Sequence, residues 1–240
     1  MSEPAPIQSL DLPHLALARI GTVDRDIIVT SSADLEVPQL QVNNVGDFSY
    51  KYENGQLEVV VNEPKPETGG PTTLGSVTMS GAVRIGRATE GDMHLGSNGS
   101  ASDNSRSVNV PSVNSSISLV VPKGYKTSYG VFTTSGEVSL SGLEVGALKV
   151  IASGMGKVAL RDIRLRRDAD IRSNGGDIKM MNLRAQEAVV ARSAKAGVVG
   201  VRDSEAPGWT LDTEAGDVIV KNTGRTVNAS SARGRVRFSQ

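Results

Sequence analysis

Six glycines in the second half of the chain recur at a nearly constant interval. Each is followed by a short phrase in which two apolar residues flank a variable one. Repeats of this length are typical of solenoids, in which each repeat stacks on the one before it. The glycines are Gly136, Gly156, Gly176, Gly197, Gly216 and Gly234, at intervals of 20, 20, 21, 19 and 18 residues.

Apolar residues also recur in pairs about every 10 residues, and the members of a pair are two positions apart. This spacing places both side chains on one face of a β-strand, whereas on a helix they would point to opposite sides. β-Branched residues are frequent in these segments and favour strands. The predicted inward pairs are Val138/Leu140, Leu148/Val150, Val158/Leu160, Ala169/Ile171, Ile178/Met180, Ala188/Val190, Val199/Val201, Trp209/Leu211, Val218/Val220, Val227/Ala229 and Val236/Phe238.

Residues 20 positions apart are more alike in type than residues 10 positions apart, so two short strands and two turns should form one coil. The chain is therefore predicted to be an all-β, single-stranded parallel β-solenoid with about 20 residues per coil and about ten to twelve coils. Gly or Asx follows alternate strands, and these residues tolerate the tight backbone of a corner. The predicted turn ladder is Gly142, Asp162, Asn182, Asp203 and Asn222.

The first 115 residues show the repeat less regularly. We expect residues 1–20 to form an N-terminal cap segment and residues 21–240 to form one solenoid domain. Within that domain, residues 21–115 should make irregular coils with loops at 63–75 and 96–107, and residues 116–240 should make the regular coils. A small β-layer that caps the solenoid is the alternative for the first third.

The net charge of zero conceals an asymmetry. Residues 1–100 contain 6 Lys and Arg against 13 Asp and Glu, a balance of −7, while residues 101–240 contain 20 against 13, a balance of +7. If sequence order is also spatial order in the solenoid, this asymmetry makes a dipole along the rod and favours head-to-tail association. With no cysteine, disulfides and thiolate metal sites are excluded.

The N-terminal sequence lacks the basic start and apolar run of a secretory signal, and no segment has the roughly 18 apolar residues of a transmembrane helix. The expected location is therefore the cytoplasm, or the cell envelope if an export signal precedes this sequence.

The run from Ile117 onward resembles a bacterial putative-adhesin family, a domain family of unknown function. The resemblance covers about residues 20–240 and implies a right-handed β-solenoid with no established catalytic residues. It is carried by Asn54–Val59 (NGQLEV), Val121–Gly124 (VPKG), Ser135–Leu140 (SGEVSL), Gly176–Met180 (GDIKM) and Gly216–Val220 (GDVIV).

A cluster of arginines is the candidate binding surface. Because some of them are 20 residues apart, they should stack into short ladders that could hold an anionic glycan, phosphate-rich lipid headgroups, a protein partner or the acidic end of a second copy. Interleaved acidic residues favour the alternative of a solvated mixed face. Nucleic acid is not expected, since no aromatic residue lies nearby to stack on bases. The predicted basic face is Arg161, Arg164, Arg166, Arg167, Arg172, Arg184 and Arg192.

Residues for catalysis or metal binding are sparse. His14 and His94 are far apart in sequence, so we expect neither a metal site nor a cofactor. Asp168 and Asp170 are the nearest paired acids, but neither has a partner one coil away, so no acid and base pair is expected. Trp209 should fill the core, with an exposed binding aromatic as the alternative.

The sequence thus predicts a non-enzymatic β-solenoid scaffold or adhesin-like binding module that acts through its outer surface or by end-to-end self-association. Phe238 lies in the last predicted strand, whose outer edge either pairs with a second copy or is kept soluble by Arg233, Arg235 and Arg237. A carbohydrate-active β-helix enzyme, such as a polysaccharide lyase or hydrolase, is the alternative from another functional class, and an exported surface adhesin is the third.

Overall fold

The structure, a computed structural model, describes residues 8–43, 48–61, 75–79, 83–87, 116–224 and 226–239. These residues form β-strands and no helix. The strands are β1 (Gln8–Asp11), β2 (Leu17–Gly21), β3 (Asp26–Ser32), β4 (Gln39–Asn43), β5 (Phe48–Glu53), β6 (Gln56–Val61), β7 (Gly75–Met79), β8 (Val83–Arg87), β9 (Ser116–Pro122), β10 (Lys126–Thr133), β11 (Val138–Ser141), β12 (Glu144–Ala152), β13 (Val158–Leu165), β14 (Ala169–Ser173), β15 (Ile178–Ala185), β16 (Val189–Ser193), β17 (Val199–Ser204), β18 (Trp209–Thr213), β19 (Val218–Thr223), β20 (Val227–Ser231) and β21 (Val236–Ser239).

Strands β10 to β21 wind into about six regular coils. The even-numbered strands stack in parallel on one side, and the odd-numbered strands stack in parallel on another. Residues one coil apart in sequence are direct neighbours, as with Val158 and Ile178. The predicted all-β parallel solenoid with about 20 residues per coil is therefore confirmed.

Aliphatic side chains fill the interior at most of the predicted inward positions. The prediction is wrong for one pair: Val189 and Ala191 are buried, whereas Ala188 is exposed and Val190 is half-buried. Four apolar residues in a row left the inward phase undetermined there. Trp209 is accordingly in register with Val189.

Each coil has the two strands predicted. A residue with positive φ follows β11, and β13, β15, β17 and β19 each contain one, so the chain bends there and a coil has three straight segments. The first face comprises residues 129–133, 148–152, 169–173, 189–193, 209–213 and 227–231. The second face comprises residues 138–141, 158–161, 178–181, 199–202, 218–221 and 236–239. The third face comprises residues 143–145, 163–165, 183–185 and 204–206, which follow the bends. The bends occur at Gly142, Asp162, Asn182, Asp203 and Asn222, with φ of 68°, 54°, 52°, 50° and 49°.

The repeated glycines form a column in which backbones are in direct contact. A Cβ on Gly176 would lie 2.0 Å from the carbonyl oxygen of Gly156, and one on Gly216 would lie 2.2 Å from that of Gly197. None of these glycines has a positive φ. The repeat therefore needs glycine for close stacking and not for an unusual backbone conformation.

A hydroxyl three residues before the glycine supports most of these turns. The N–H of Gly176 donates to Ser173 Oγ at 2.8 Å, and the N–H of Gly216 donates to Thr213 Oγ1 at 3.1 Å. The turns to Gly156 and Gly197 are the exceptions, because each is one residue longer; the first follows Ala152 and the second follows Ser193. The buried Oγ of Ser193 has no hydrogen-bond partner among the described residues.

Strand order in space departs from sequence order in the first third of the chain. Strand β2 lies between β6 and β10, and β3 lies between β9 and β11, all in parallel. At that end, β5 pairs with β6, β4 with β9, and β1 with β4, all antiparallel. The expectation that sequence order equals spatial order is therefore wrong here.

The same arrangement corrects the expected number of coils. Before Lys126, the described residues add two parallel strands to each stack, while the remaining pairings at that end are antiparallel. Strands β7 and β8 pair with each other in a separate two-stranded sheet. The predicted loop at 96–107, and all but the last residue of the loop at 63–75, lie outside the described residues.

Candidate functional site

The predicted basic face is divided among different sides of the solenoid. Arg172 and Arg192 are in register on the first face, and Arg164 and Arg184 are in register on the third. Arg161 ends a second-face segment, just before the bend. The change of chain direction at each bend separates residues that are close in sequence, so these arginines do not form one continuous surface.

Carboxylates neutralise most of these arginines. Arg161 pairs with Asp162 at 3.3 Å, Arg172 with Asp170 at 2.9 Å, and Arg192 with Asp212 at 3.1 Å. The hydrogen bond from Arg172 Nε to Asp170 raises the pKa of that guanidinium. The first and second faces therefore resemble the solvated mixed surface that was the alternative prediction.

The third face and the turn that follows Leu165 differ, because their arginines are only loosely paired. Arg164 and Arg166 share Glu144, and each contact measures 4.0 Å. Within the described residues, no carboxylate lies within 4.0 Å of the Arg184 or Arg167 side chain. Together with Gln186, the residues Glu144, Arg164, Arg166 and Arg184 line a shallow groove of about 320 Å³.

Acidic residues close both ends of the central column of the third face. Arg184 is in register with Arg164 on one side and is joined to Glu205 by a backbone β-bridge on the other. Glu144 lies on the far side of Arg164. Successive rungs thus present negative, positive, positive and negative side chains. Glu144 and Glu205 were not predicted as site residues, although intervals of 20, 20 and 21 residues make the column visible in the sequence.

The turn ladder joins neighbouring coils by side-chain hydrogen bonds. Asn182 Nδ2 donates to Asp162 Oδ1 at 2.5 Å, and Asn222 Nδ2 donates to Asp203 Oδ1 at 2.7 Å. The second bond is the main cause of the lowered pKa of Asp203, and a hydrogen bond from Arg202 adds to it. These side chains occupy a corner of the coil and link its rungs.

Asp168 and Asp170, the acid pair noted in the sequence, have different surroundings in the structure. Asp170 is engaged by Arg172, and Asp168 lies in the turn before the strand. No group of three His, Cys, Asp or Glu side chains that could hold a metal ion occurs in this part of the chain. His14 adopts a positive φ of 63°, and His94 lies outside the described residues.

The last rung leaves its inward positions uncovered in this structure. Val236 and Phe238 are in register with the buried residues Val218 and Val220, yet they are 37% and 63% exposed. Arg237 pairs back with Asp217 on the preceding rung at 3.2 Å. Beside Phe238, a cleft of about 660 Å³ is lined on one side by Asp203 and Glu205.

Trp209 lies in the core, where only 2% of its surface is exposed, and it packs in register between neighbouring first-face strands. Its indole Nε1 has no hydrogen-bond partner in the described residues.

No helix in the described part of the chain is long and apolar enough to span a bilayer.

Comparison with known proteins connects this geometry to a family. A family model described as Toastrack DUF4097 matches residues 89–240, which is more than half of the chain. The chain belongs to the Toastrack DUF4097 family. The predicted resemblance to a domain family of unknown function with a repetitive fold is thereby confirmed.

Two solved structures are similar to this Toastrack chain along nearly its whole length. One, from Bacteroides fragilis NCTC 9343 and described as a "putative adhesin", is 15% identical with a TM-score of 0.45, and covers 98% of this chain and 96% of that chain. The other, from Clostridium sporogenes ATCC 15579 and described as a "putative cell adhesion protein", is 8% identical with a TM-score of 0.35, and covers 98% and 99%. A search of curated proteins gave no match.

Proposed function

We propose that this Toastrack chain is a non-enzymatic β-solenoid scaffold that associates end to end with a second copy through the rung formed by β20 and β21. The observation that carries the proposal is the exposure of Val236 and Phe238 at positions that a further rung would cover. Within the described residues, each of these strands pairs on one side only, so the other edge can accept another strand.

Charge favours a head-to-tail arrangement over the meeting of two identical ends. The described residues of β1 to β6 and their turns, at the opposite end, contain 3 Lys and Arg against 7 Asp and Glu, a balance of −4, while those from β10 onward contain 17 against 12, a balance of +5. Arg233, Arg235 and Arg237 lie near the exposed rung, and two copies of this end would repel each other. Association should therefore weaken as salt screens the attraction.

Sedimentation velocity of the purified chain over a range of concentrations, at low and high salt, tests the proposal. At low salt the weight-average mass should rise with protein concentration. At a given protein concentration it should be lower at high salt than at low salt. Phe238→Arg should keep the chain monomeric, because it places a charge at the centre of the contact. Met155→Arg is the matched control, since Met155 is also an exposed apolar residue but lies in a turn far from this rung.

The outcomes separate the proposal from its competitors. A monomeric wild-type chain at every concentration overturns it, as does association that Phe238→Arg leaves unchanged. The assay does not depend on where in the cell the protein works.

The absence of enzymatic activity is part of the same proposal. It is supported by the ion pair between Asp170 and Arg172, which occupies one of the two carboxylates of the acid pair Asp168 and Asp170. A reducing-sugar assay on a panel of polysaccharides should show no release of new ends. Release of reducing ends would instead support the carbohydrate-active alternative.

A further inference from the structure

Two arginines occupy neighbouring rungs of the third face with no carboxylate between them. Arg164 and Arg184 are directly in register, and stacked strands lie about 4.8 Å apart. Like charges placed directly opposite each other are destabilising. The nearest carboxylate to Arg164 is that of Glu144, at 4.0 Å, and within the described residues none lies that close to Arg184. The pair therefore has unused capacity to bind an anion.

We propose that Arg164 and Arg184 bind the carboxylate of an acidic sugar, such as a uronic acid residue of a glycan. A guanidinium presents a planar fork of N–H donors that matches a carboxylate, and two such forks can bind its two oxygens. Arg166 lies beside the pair in the groove and adds a third positive charge. The groove of about 320 Å³ falls within the range of about 300–1,000 Å³ that is usual for small-molecule sites.

The flanking carboxylates select the kind of anion. Glu144 lies one rung before the arginine pair and Glu205 lies one rung after it, so the column is positive only at its centre. A uronic acid carries a single negative charge surrounded by hydroxyls, and these hydroxyls can donate hydrogen bonds to Glu144, which lines the same groove. A polyanion would instead place further negative groups against Glu144 and Glu205. The geometry thus favours an acidic sugar over a nucleic acid or a sulfated polymer.

Titration of the full-length chain with matched oligosaccharides tests this site. A glucuronate-terminated trisaccharide and its glucose-terminated analogue differ in one carboxylate, and binding can be followed by ligand-observed NMR. The wild-type chain should bind the acidic sugar and not the neutral one. Arg164→Gln combined with Arg184→Gln should weaken binding at least about tenfold, the expected effect of losing two charge-assisted contacts.

Two control variants make the test specific. Arg172→Gln removes an arginine of the first face that is already paired with Asp170, and it should leave binding unchanged. Glu144→Gln combined with Glu205→Gln should increase binding of dextran sulfate, because the flanking repulsion is removed. Circular dichroism of each variant confirms that the fold is retained.

The assignment is overturned if the acidic sugar does not bind, or if the neutral analogue binds equally well. It is also overturned if the double arginine variant binds the acidic sugar as the wild-type chain does, or if the wild-type chain binds dextran sulfate more tightly than the acidic sugar. The measurements are made in the Phe238→Arg background. Failure of end-to-end association and failure of the sugar site are thus observed separately.

Discussion

Replacing Gly176 by alanine tests the physical origin of the 20-residue repeat. The added Cβ would lie 2.0 Å from the carbonyl oxygen of Gly156 and 2.7 Å from that of Met155, whereas ordinary van der Waals contact begins near 3.4 Å. Both neighbours are backbone atoms, which cannot rotate away as a side chain can. The two coils must therefore separate locally by more than about 1 Å.

The expected cost combines overpacking and weakened hydrogen bonds. Overpacking a tight interior costs about 1–3 kcal/mol. Separation of the coils also stretches two bonds between them, from Gly175 N–H to the Gly154 carbonyl oxygen, now 3.1 Å, and from the Ser173 hydroxyl to the Gly156 carbonyl oxygen, now 3.4 Å. Each such bond contributes about 1 kcal/mol net. Gly176→Ala should therefore lower the free energy of unfolding by about 3–5 kcal/mol, and the melting temperature by on the order of 10 °C.

The assay is urea and thermal unfolding followed by circular dichroism, with Trp209 fluorescence as a second probe, since it is the only tryptophan and is buried. Gly208→Ala is the matched control, because its Cβ would meet no atom within 4 Å and its φ is not positive. It should change stability by less than about 1 kcal/mol, and in the stabilising direction. Gly124→Ala, with φ of 78° and open space, isolates the cost of backbone strain alone.

The result that refutes this reasoning is equal stability of the Gly176→Ala and Gly208→Ala variants. The glycine column would then owe nothing to close contact between coils. Hydrogen exchange provides a local check, because in a solenoid each coil contacts only its neighbours. Loss of protection should be greatest in the coils on either side of Gly176.

Three further changes test the inward register, the buried hydroxyl and the corner. Val199→Asp buries an unpaired carboxylate and should unfold the rod or melt it locally; an unchanged melting temperature would contradict the inward position of Val199. Burial raises the pKa of Tyr129, so above about pH 10 the unfolded state loses that proton first and stability falls by up to about 1.4 kcal/mol per pH unit. Tyr129→Phe should remove most of this alkaline loss and cost nothing at pH 7, since the hydroxyl is unpaired, as urea midpoints at pH 8 and pH 11 would show. Asn182→Val should destabilise by more than about 1–2 kcal/mol at its φ of 52°, whereas Asn182→Gly should lose only the bond to Asp162; thermal melts that rank the two variants alike would count against the corner role.

The regular coils could be predicted because two local constraints repeat in each of them. Inward residues alternate with outward ones, and glycine returns where neighbouring turns touch. The prediction failed at residues 188–191 because all four residues there are apolar, so alternation gave no phase. Alternation with polar residues shows which side chains of a strand point inward, and none of these four residues is polar.

The arrangement of the first third could not be predicted, because it depends on contacts that are distant in sequence. Strand β2 pairs with β10, in which Ile20 lies beside Val131 although they are separated by more than 100 residues. No local pattern indicates that β2 and β3 are inserted between strands that follow them in the sequence. The antiparallel strands at that end have the same alternation of apolar residues as parallel ones, so their direction was not visible either.

The candidate site was predicted only in part: Arg164 and Arg184 were expected to stack one coil apart, whereas Glu144 and Glu205 were not singled out. A 20-residue period predicts which arginines stack, but not the side of the coil on which they stack. That depends on the bend at Asp162 and Asn182, where positive φ turns the chain between Arg161 and Arg164. Treating each coil as two strands placed all seven arginines on one surface. A third segment divides them, and it gives Arg164 and Arg184 the acidic neighbours that define the proposed site.

The same constraints indicate where Toastrack domains can differ in function. Inward positions are mostly aliphatic, the glycine column leaves no room for a Cβ, and the corner column requires residues that tolerate positive φ. Only outward positions and the terminal rungs remain free to vary without loss of the coil. The proposed sugar site uses such outward positions, because Glu144, Arg164, Arg184 and Glu205 form a column of residues one coil apart. Changing the charges of one column should alter what the domain binds and leave its stability nearly unchanged, because exposed charges contribute little to folding.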